Sequence, residues 1–82
     1  RMLAQSMARE LGPQGIHVAH SIIDGGIDTD FVRGLRPDFD ALKAKDGVLS
    51  PDAIAQAYVA LHTQHRSAWT HELDLRPWME SW

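Results

Sequence analysis

Near the start of the chain apolar residues recur every fourth position, at Leu3, Met7 and Leu11, with Ala4 and Ala8 widening the stripe and Gln5, Arg9 and Glu10 outside it. That spacing predicts an amphipathic helix over 1–11. Gly12-Pro13 should end it, with Gly12 in the left-handed cap position and Pro13 unable to continue the hydrogen-bond ladder. No capping residue precedes Arg1, so the helix is expected to continue from sequence upstream. The pattern then changes. Residues 16–23 are rich in β-branched and small apolar residues, read as apolar on both faces, and they lie between Gly15 and Gly25. A run this short predicts a strand, and apolarity on both faces predicts a parallel sheet covered on both sides.

The strand runs straight into Asp24-Gly25-Gly26-Ile27-Asp28-Thr29. Open α/β sheets place their ligands beyond the carboxyl ends of their strands, so residues 24–29 are the first candidate site. After the turn, 30–47 is expected to be a loop with short helical pieces. One holds Phe31, Val32 and Leu35; Arg36-Pro37 interrupts it, and a second starts at Phe39 with Phe39 and Leu42 inward. Ser50-Pro51-Asp52 combines an N-cap, a first-turn proline and an early acid, and so opens a helix expected over 51–65. Residues 69–75 alternate Trp69, His71, Leu73 and Leu75 with polar neighbours, which predicts a strand with one wetter face. Strand, helix, strand is the βαβ unit, and it requires parallel neighbours and helices on both faces. These elements cannot supply them alone.

Composition narrows the function classes. With 82 residues, 44% hydrophobic and 23% charged, the chain reads as one small globular unit. A net charge of −3 with scattered basic residues gives no footprint for nucleic acid. There is no cysteine, which excludes disulfides and thiolate metal sites and fits a cytoplasmic location. No apolar run reaches the roughly 18 residues of a membrane span.

The order of motifs resembles the C-terminal third of the short-chain dehydrogenase/reductases. Leu3-Ala4-x-x-Met7-Ala8-Arg9-Glu10-Leu11, then Gly15-Ile16-His17-Val18, then Gly25-x-Ile27-x-Thr29 match a helix, strand and turn of that family in sequence order. Leu49-Ser50-Pro51-Asp52-Ala53-Ile54-Ala55 and Trp69-Thr70-x-Glu72-Leu73-Asp74 resemble its last large helix and last strand. The resemblance implies an α/β fold: the C-terminal part of a Rossmann-type doubly wound parallel sheet, its last two strands with flanking helices, incomplete as an isolated domain. It implies an NAD or NADP cofactor and a small-molecule alcohol or carbonyl substrate. The cofactor would be contacted at Asp24, Gly25, Ile27 and Thr29, with the Ile27 backbone on the nicotinamide carboxamide and the Thr29 hydroxyl on the carboxamide or pyrophosphate. Phe31, Val32 and Leu35 would wall the substrate side within a substrate loop over 30–47. The implied partners are the missing N-terminal part of the same domain and further copies in a homo-oligomer.

Two departures stand out. Asp24 replaces the family's usual proline, an acid that could cap the turn's amides but would sit unfavourably near a pyrophosphate. The strand also reads one residue long, which a bulge could absorb. The chain holds neither the glycine-rich dinucleotide loop nor a Tyr-x-x-x-Lys pair, its only tyrosine being Tyr58. No catalytic residue is therefore assigned, and the chain alone is expected to be inactive. The alternative is a non-catalytic module that self-associates or docks through an unpaired strand edge.

Other chemistry-bearing residues have plainer readings. His17 and His20, three apart on a strand, point to opposite faces and do not suit a shared metal. His62 and His65 would share a helix face and meet the negative end of the helix dipole. His71 reads as a packed or edge residue, and no metal is assigned. Glu10, Asp28, Asp30 and Glu72 read as solvated surface. Trp78, Met79 and Trp82 are candidates for an interface or core patch.

Overall fold

The computed structural model describes residues 1–80, so Trp82 lies outside the described residues. The elements in order are α1 (Met2–Leu11), β1 (His20–Ile23), α2 (Asp30–Leu35), α3 (Phe39–Ala44), α4 (Pro51–His62) and β2 (Glu72–Leu75). β1 and β2 form a two-stranded parallel sheet in the register His20↔Glu72 to Ile23↔Leu75. The chain is α/β, and α4 lies in the connection between the parallel strands, which is the βαβ arrangement.

Local chemistry explains most boundaries. α1 passes into a 3₁₀ turn over Gly12–Gln14, and the left-handed residue is Gly15, with φ of 81°, rather than Gly12, which stays right-handed. The reason is Pro13: its fixed φ suits the first turn of a helix, so the chain tightens instead of reversing at Gly12. α4 starts as its sequence demands, Ser50 accepting from the Ala53 amide at 3.3 Å with Pro51 in the first turn.

Both strands are shorter than their apolar patterns. The 16–23 run pairs only from His20, and the 69–75 run only from Glu72. Ahead of the ladder, side chains replace backbone pairing. His17 Nε2 lies 2.7 Å from the Thr70 carbonyl, His71 Nδ1 lies 3.3 Å from the Val18 carbonyl, and His17 stacks on Trp69 at 4.6 Å. These histidines tie the two incoming segments together. α4 ends at His62, and Gln64 then turns the chain back, holding Thr70 through its side-chain oxygen and nitrogen at 2.8 and 2.7 Å. His65 thus stands outside the helix. It accepts from the Ser67 amide at 3.1 Å and shares no helix face with His62.

The core differs from a sheet buried between helix layers. Neither α1 nor α4 holds a buried residue, and among the described residues the buried large hydrophobics are Phe39, Val48 and Leu49. They sit in the segment between the turn and α4. The radius of gyration is 15.6 Å, where a compact chain of this length gives about 12 Å. The accessible surface is 6127 Å², against about 4,900 Å² for a compact monomer of this mass. Met2, Leu3, Ile16 and Val59 stand exposed on the outer elements. Among the described residues no helix is long and apolar enough to cross a membrane.

Candidate functional site

The turn at 24–29 is anchored on both sides by backbone. On one side the β1–β2 ladder runs one step past the strand: the Asp24 amide donates to the Leu75 carbonyl at 2.8 Å. The extra strand residue is therefore paired, not bulged out. A proline at this position would lack the N–H that makes the bond. On the other side Leu49 bridges the turn, its amide donating to the Gly26 carbonyl at 2.7 Å and its carbonyl accepting from Asp28 at 2.8 Å. In a parallel bridge of this kind the partner residue uses the groups before and after Ile27. The N–H and C=O of Ile27 itself face the opposite edge, where the Thr29 hydroxyl reaches the Ile27 carbonyl at 3.4 Å.

The glycines are needed for different reasons. Gly25 has φ of 143°, and a Cβ there would lie 2.8 Å from Pro77 Cδ, closer than two carbons can approach. Gly26 has an ordinary φ, but its Cβ would press on Val32 at 3.2 Å. The turn is thus packed between Pro77, just after β2, and Val32 on α2.

Charged side chains follow the same frame. Asp24 does not cap the turn's amides; its carboxylate meets Arg76 at 2.9 Å, with the arginine side chain mostly buried and the acid half exposed. With Arg76 both partners are charged, so the contact adds the attraction of an ion pair to the hydrogen bond, which a backbone amide does not offer. Asp28 pairs with Lys43 at 3.0 Å, linking the turn to α3. Glu72 pairs with Arg1 at 2.7 Å across the start of the sheet, far along the strand from the turn. Neither acid is bare surface.

Thr29 is the N-cap of α2, accepting from the Val32 amide at 3.3 Å. From that cap the three residues of the candidate substrate wall diverge. Val32 turns back onto Gly26, while Phe31 and Leu35, one helical turn apart, stand 76% and 66% exposed. Phe39 is buried under the Arg33 guanidinium, 4.6 Å from its ring centre, and Arg33 is in turn paired with Asp40. Phe39 is therefore core. Trp78 is exposed, with its indole donating to the Lys45 carbonyl at 2.8 Å, and the Met79 sulfur lies against Gly47.

Sequence reasoning missed Arg76, Pro77 and Leu49, the residues that hold the turn. Arg76-Pro77 reads along the chain only as a strand terminator. Its role would have been visible by pairing the strands in parallel, which sets an acid at the end of β1 beside a base at the end of β2. A cleft of about 390 Å³ lined by Ala19, Ser21, Tyr58 and Leu61 lies between β1 and α4 rather than at the turn. Among the described residues no group of three or more His, Asp or Glu could hold a metal.

A parallel strand that runs into a glycine turn, followed by a loop returning to bridge that turn, is the carboxyl-end geometry of a Rossmann-type sheet. Among solved structures the chain is similar to the crystal structure of a short-chain dehydrogenase from Rhodopseudomonas palustris, with 42% identity and a TM-score of 0.62, covering 95% of this chain and 26% of that one. The resemblance to the short-chain dehydrogenase/reductases is thereby shown in sequence and in fold, over a stretch about a quarter the length of the matched chain. No protein-family model matches the chain, and no curated protein matches it significantly.

Proposed function

We propose that this chain forms the carboxyl-end wall of the cofactor pocket in a cytoplasmic, homo-oligomeric NAD(P)-dependent oxidoreductase that interconverts an alcohol and a carbonyl. The observation that carries the reading is the 42% identity to a short-chain dehydrogenase along nearly the whole chain. The local geometry fits. Ile27 turns its own N–H and C=O away from the Leu49 bridge, so the N–H can donate to an amide such as the nicotinamide carboxamide, and the C=O, which accepts from the Thr29 hydroxyl, keeps a second lone pair for it. Thr29 adds a hydroxyl next to them, and Gly25 and Asp24 fix where the turn begins.

The nicotinamide, when bound, supplies the hydride acceptor or donor. The chain's own residues bind and orient. Phe31 and Leu35, exposed on α2 beyond the turn, and Val32 against Gly26 give the substrate side an apolar wall. A Tyr-x-x-x-Lys pair is absent from this sequence, so proton transfer falls to residues of an N-terminal part of the same domain. The chain alone is inactive in this reading.

The test is complementation. The chain is mixed with a polypeptide supplying the upstream strands and the Tyr and Lys, and alcohol-dependent reduction of NAD or NADP is followed at 340 nm. No turnover with any simple alcohol, despite a complex forming, sinks the reading. A second reading, a non-catalytic self-associating or docking module, is favoured by one observation: the surface exceeds that of a compact monomer by about 1,200 Å². Calorimetric titration with NAD(H) and NADP(H) separates the two, since a docking module has no reason to bind either dinucleotide.

A further inference from the structure

Asp24 is an unexpected neighbour for a dinucleotide. A free carboxylate at the mouth of a pocket that receives phosphates would repel them, by about 1 kcal/mol at 4 Å even in water. Its surroundings answer the difficulty. The Asp24 amide extends the ladder to Leu75, its carboxylate meets Arg76 at 2.9 Å, and the next two residues on the strands, Gly25 and Pro77, are in contact. Three successive residues after Asp74, namely Leu75, Arg76 and Pro77, thus hold two successive residues of the turn, by a hydrogen bond, an ion pair and a steric stop. Only the ion pair can be removed without altering the backbone. The Arg76 side chain is 13% exposed, so the pair is poorly screened on its basic side.

We infer that the Asp24–Arg76 pair is a positioning clamp with two effects: it fixes the start of the glycine turn on the end of β2, and it neutralises the carboxylate that would otherwise face the cofactor's phosphates. The inference rests on reading 24–29 as the cofactor turn, and it adds Arg76, after the last strand, to the residues that set dinucleotide affinity. The two effects have opposite signatures in substitution. Asp24→Asn loosens the turn and also removes the negative charge. Arg76→Gln loosens the turn and leaves the charge bare.

The experiment has two readouts. In the 82-residue chain, hydrogen exchange is measured at the amides of Asp24, Asp28 and Leu49, which hold the turn. Asp24→Asn and Arg76→Gln should each speed exchange there about fivefold, the upper range for a partly exposed ion pair. Exchange unchanged within twofold in both variants, or no protection in the parent chain, overturns the clamp. In the complemented enzyme, the KM for the dinucleotide should rise more in Arg76→Gln than in Asp24→Asn, and more than kcat falls in either. The double variant should return towards Asp24→Asn, because with no carboxylate left the missing arginine matters less. A double variant as poor as Arg76→Gln means that Arg76 acts through other contacts, and overturns the neutralising role. If no dinucleotide binds the parent complex, the proposed function fails, and exchange still decides the clamp.

Discussion

Gly25 shows how little freedom the candidate site leaves to a single residue. Its φ of 143° and the 2.8 Å approach that any Cβ would make to Pro77 are independent penalties. Gly25→Ala should lower stability by about 2 kcal/mol, within the range for strained backbone positions, and should raise exchange at Asp24 and Asp28; urea unfolding followed by tryptophan fluorescence gives the first value. Phe39 is the opposite case, a residue whose aromatic ring could have suggested substrate contact and whose burial makes it structural. Phe39→Ala removes the largest side chain buried among the described residues and should cost about 3 kcal/mol. It should release the bridge at Leu49 before the β1–β2 ladder, which amide exchange would resolve. Loss of protection in the ladder first would mean that Phe39 does not anchor the loop.

At the scale of elements, α2 and α4 depend on their caps more than on burial, whereas α3 has no side-chain cap and is held by buried Phe39. α2 is Asp30–Leu35 and buries nothing, so the Thr29 side chain accepting from Val32 is a main local support. Thr29→Val keeps the shape and the extended backbone of the residue but removes the acceptor. It should weaken α2 by about 1 kcal/mol, visible as faster exchange at Val32, whereas Thr29→Ser should retain the helix. In α4 the same logic applies to Ser50, and Ser50→Ala should destabilise the helix by a similar amount, measured by circular dichroism on melting. The basic run His62 to Arg66 suits a helix terminus and so predicts a longer α4 than the one that ends at His62. The tertiary tie between Gln64 and Thr70 cuts the helix short instead, since the connection must turn back to bring β2 beside β1.

The whole molecule is elongated, 47 × 23 × 23 Å, with the buried hydrophobics of the described residues in the segment before α4 and its two larger helices uncovered. Exposed Met2, Leu3, Ile16 and Val59 are what a sheet protein shows when a layer that packs on it is supplied from elsewhere. The chain alone should bind the apolar dye ANS and associate at micromolar concentration, and the complementing polypeptide should suppress both. Sedimentation velocity and dye fluorescence check this together. A monomeric chain that binds no dye would contradict it.

The sequence by itself determined the class of each segment. Helical spacing at Leu3, Met7 and Leu11, the Ser50-Pro51 start of α4 and the glycine turn after an apolar run are local signals, set by backbone propensity and side-chain periodicity, and they mark the fold class and the position of the candidate site. What only the tertiary structure decided is what each residue of that site touches. The length of the ladder, the bridge from Leu49 to the turn and the partner of Asp24 all depend on residues more than ten positions away. Which of them meet is fixed by the register of two parallel strands, a long-range quantity that no local pattern encodes.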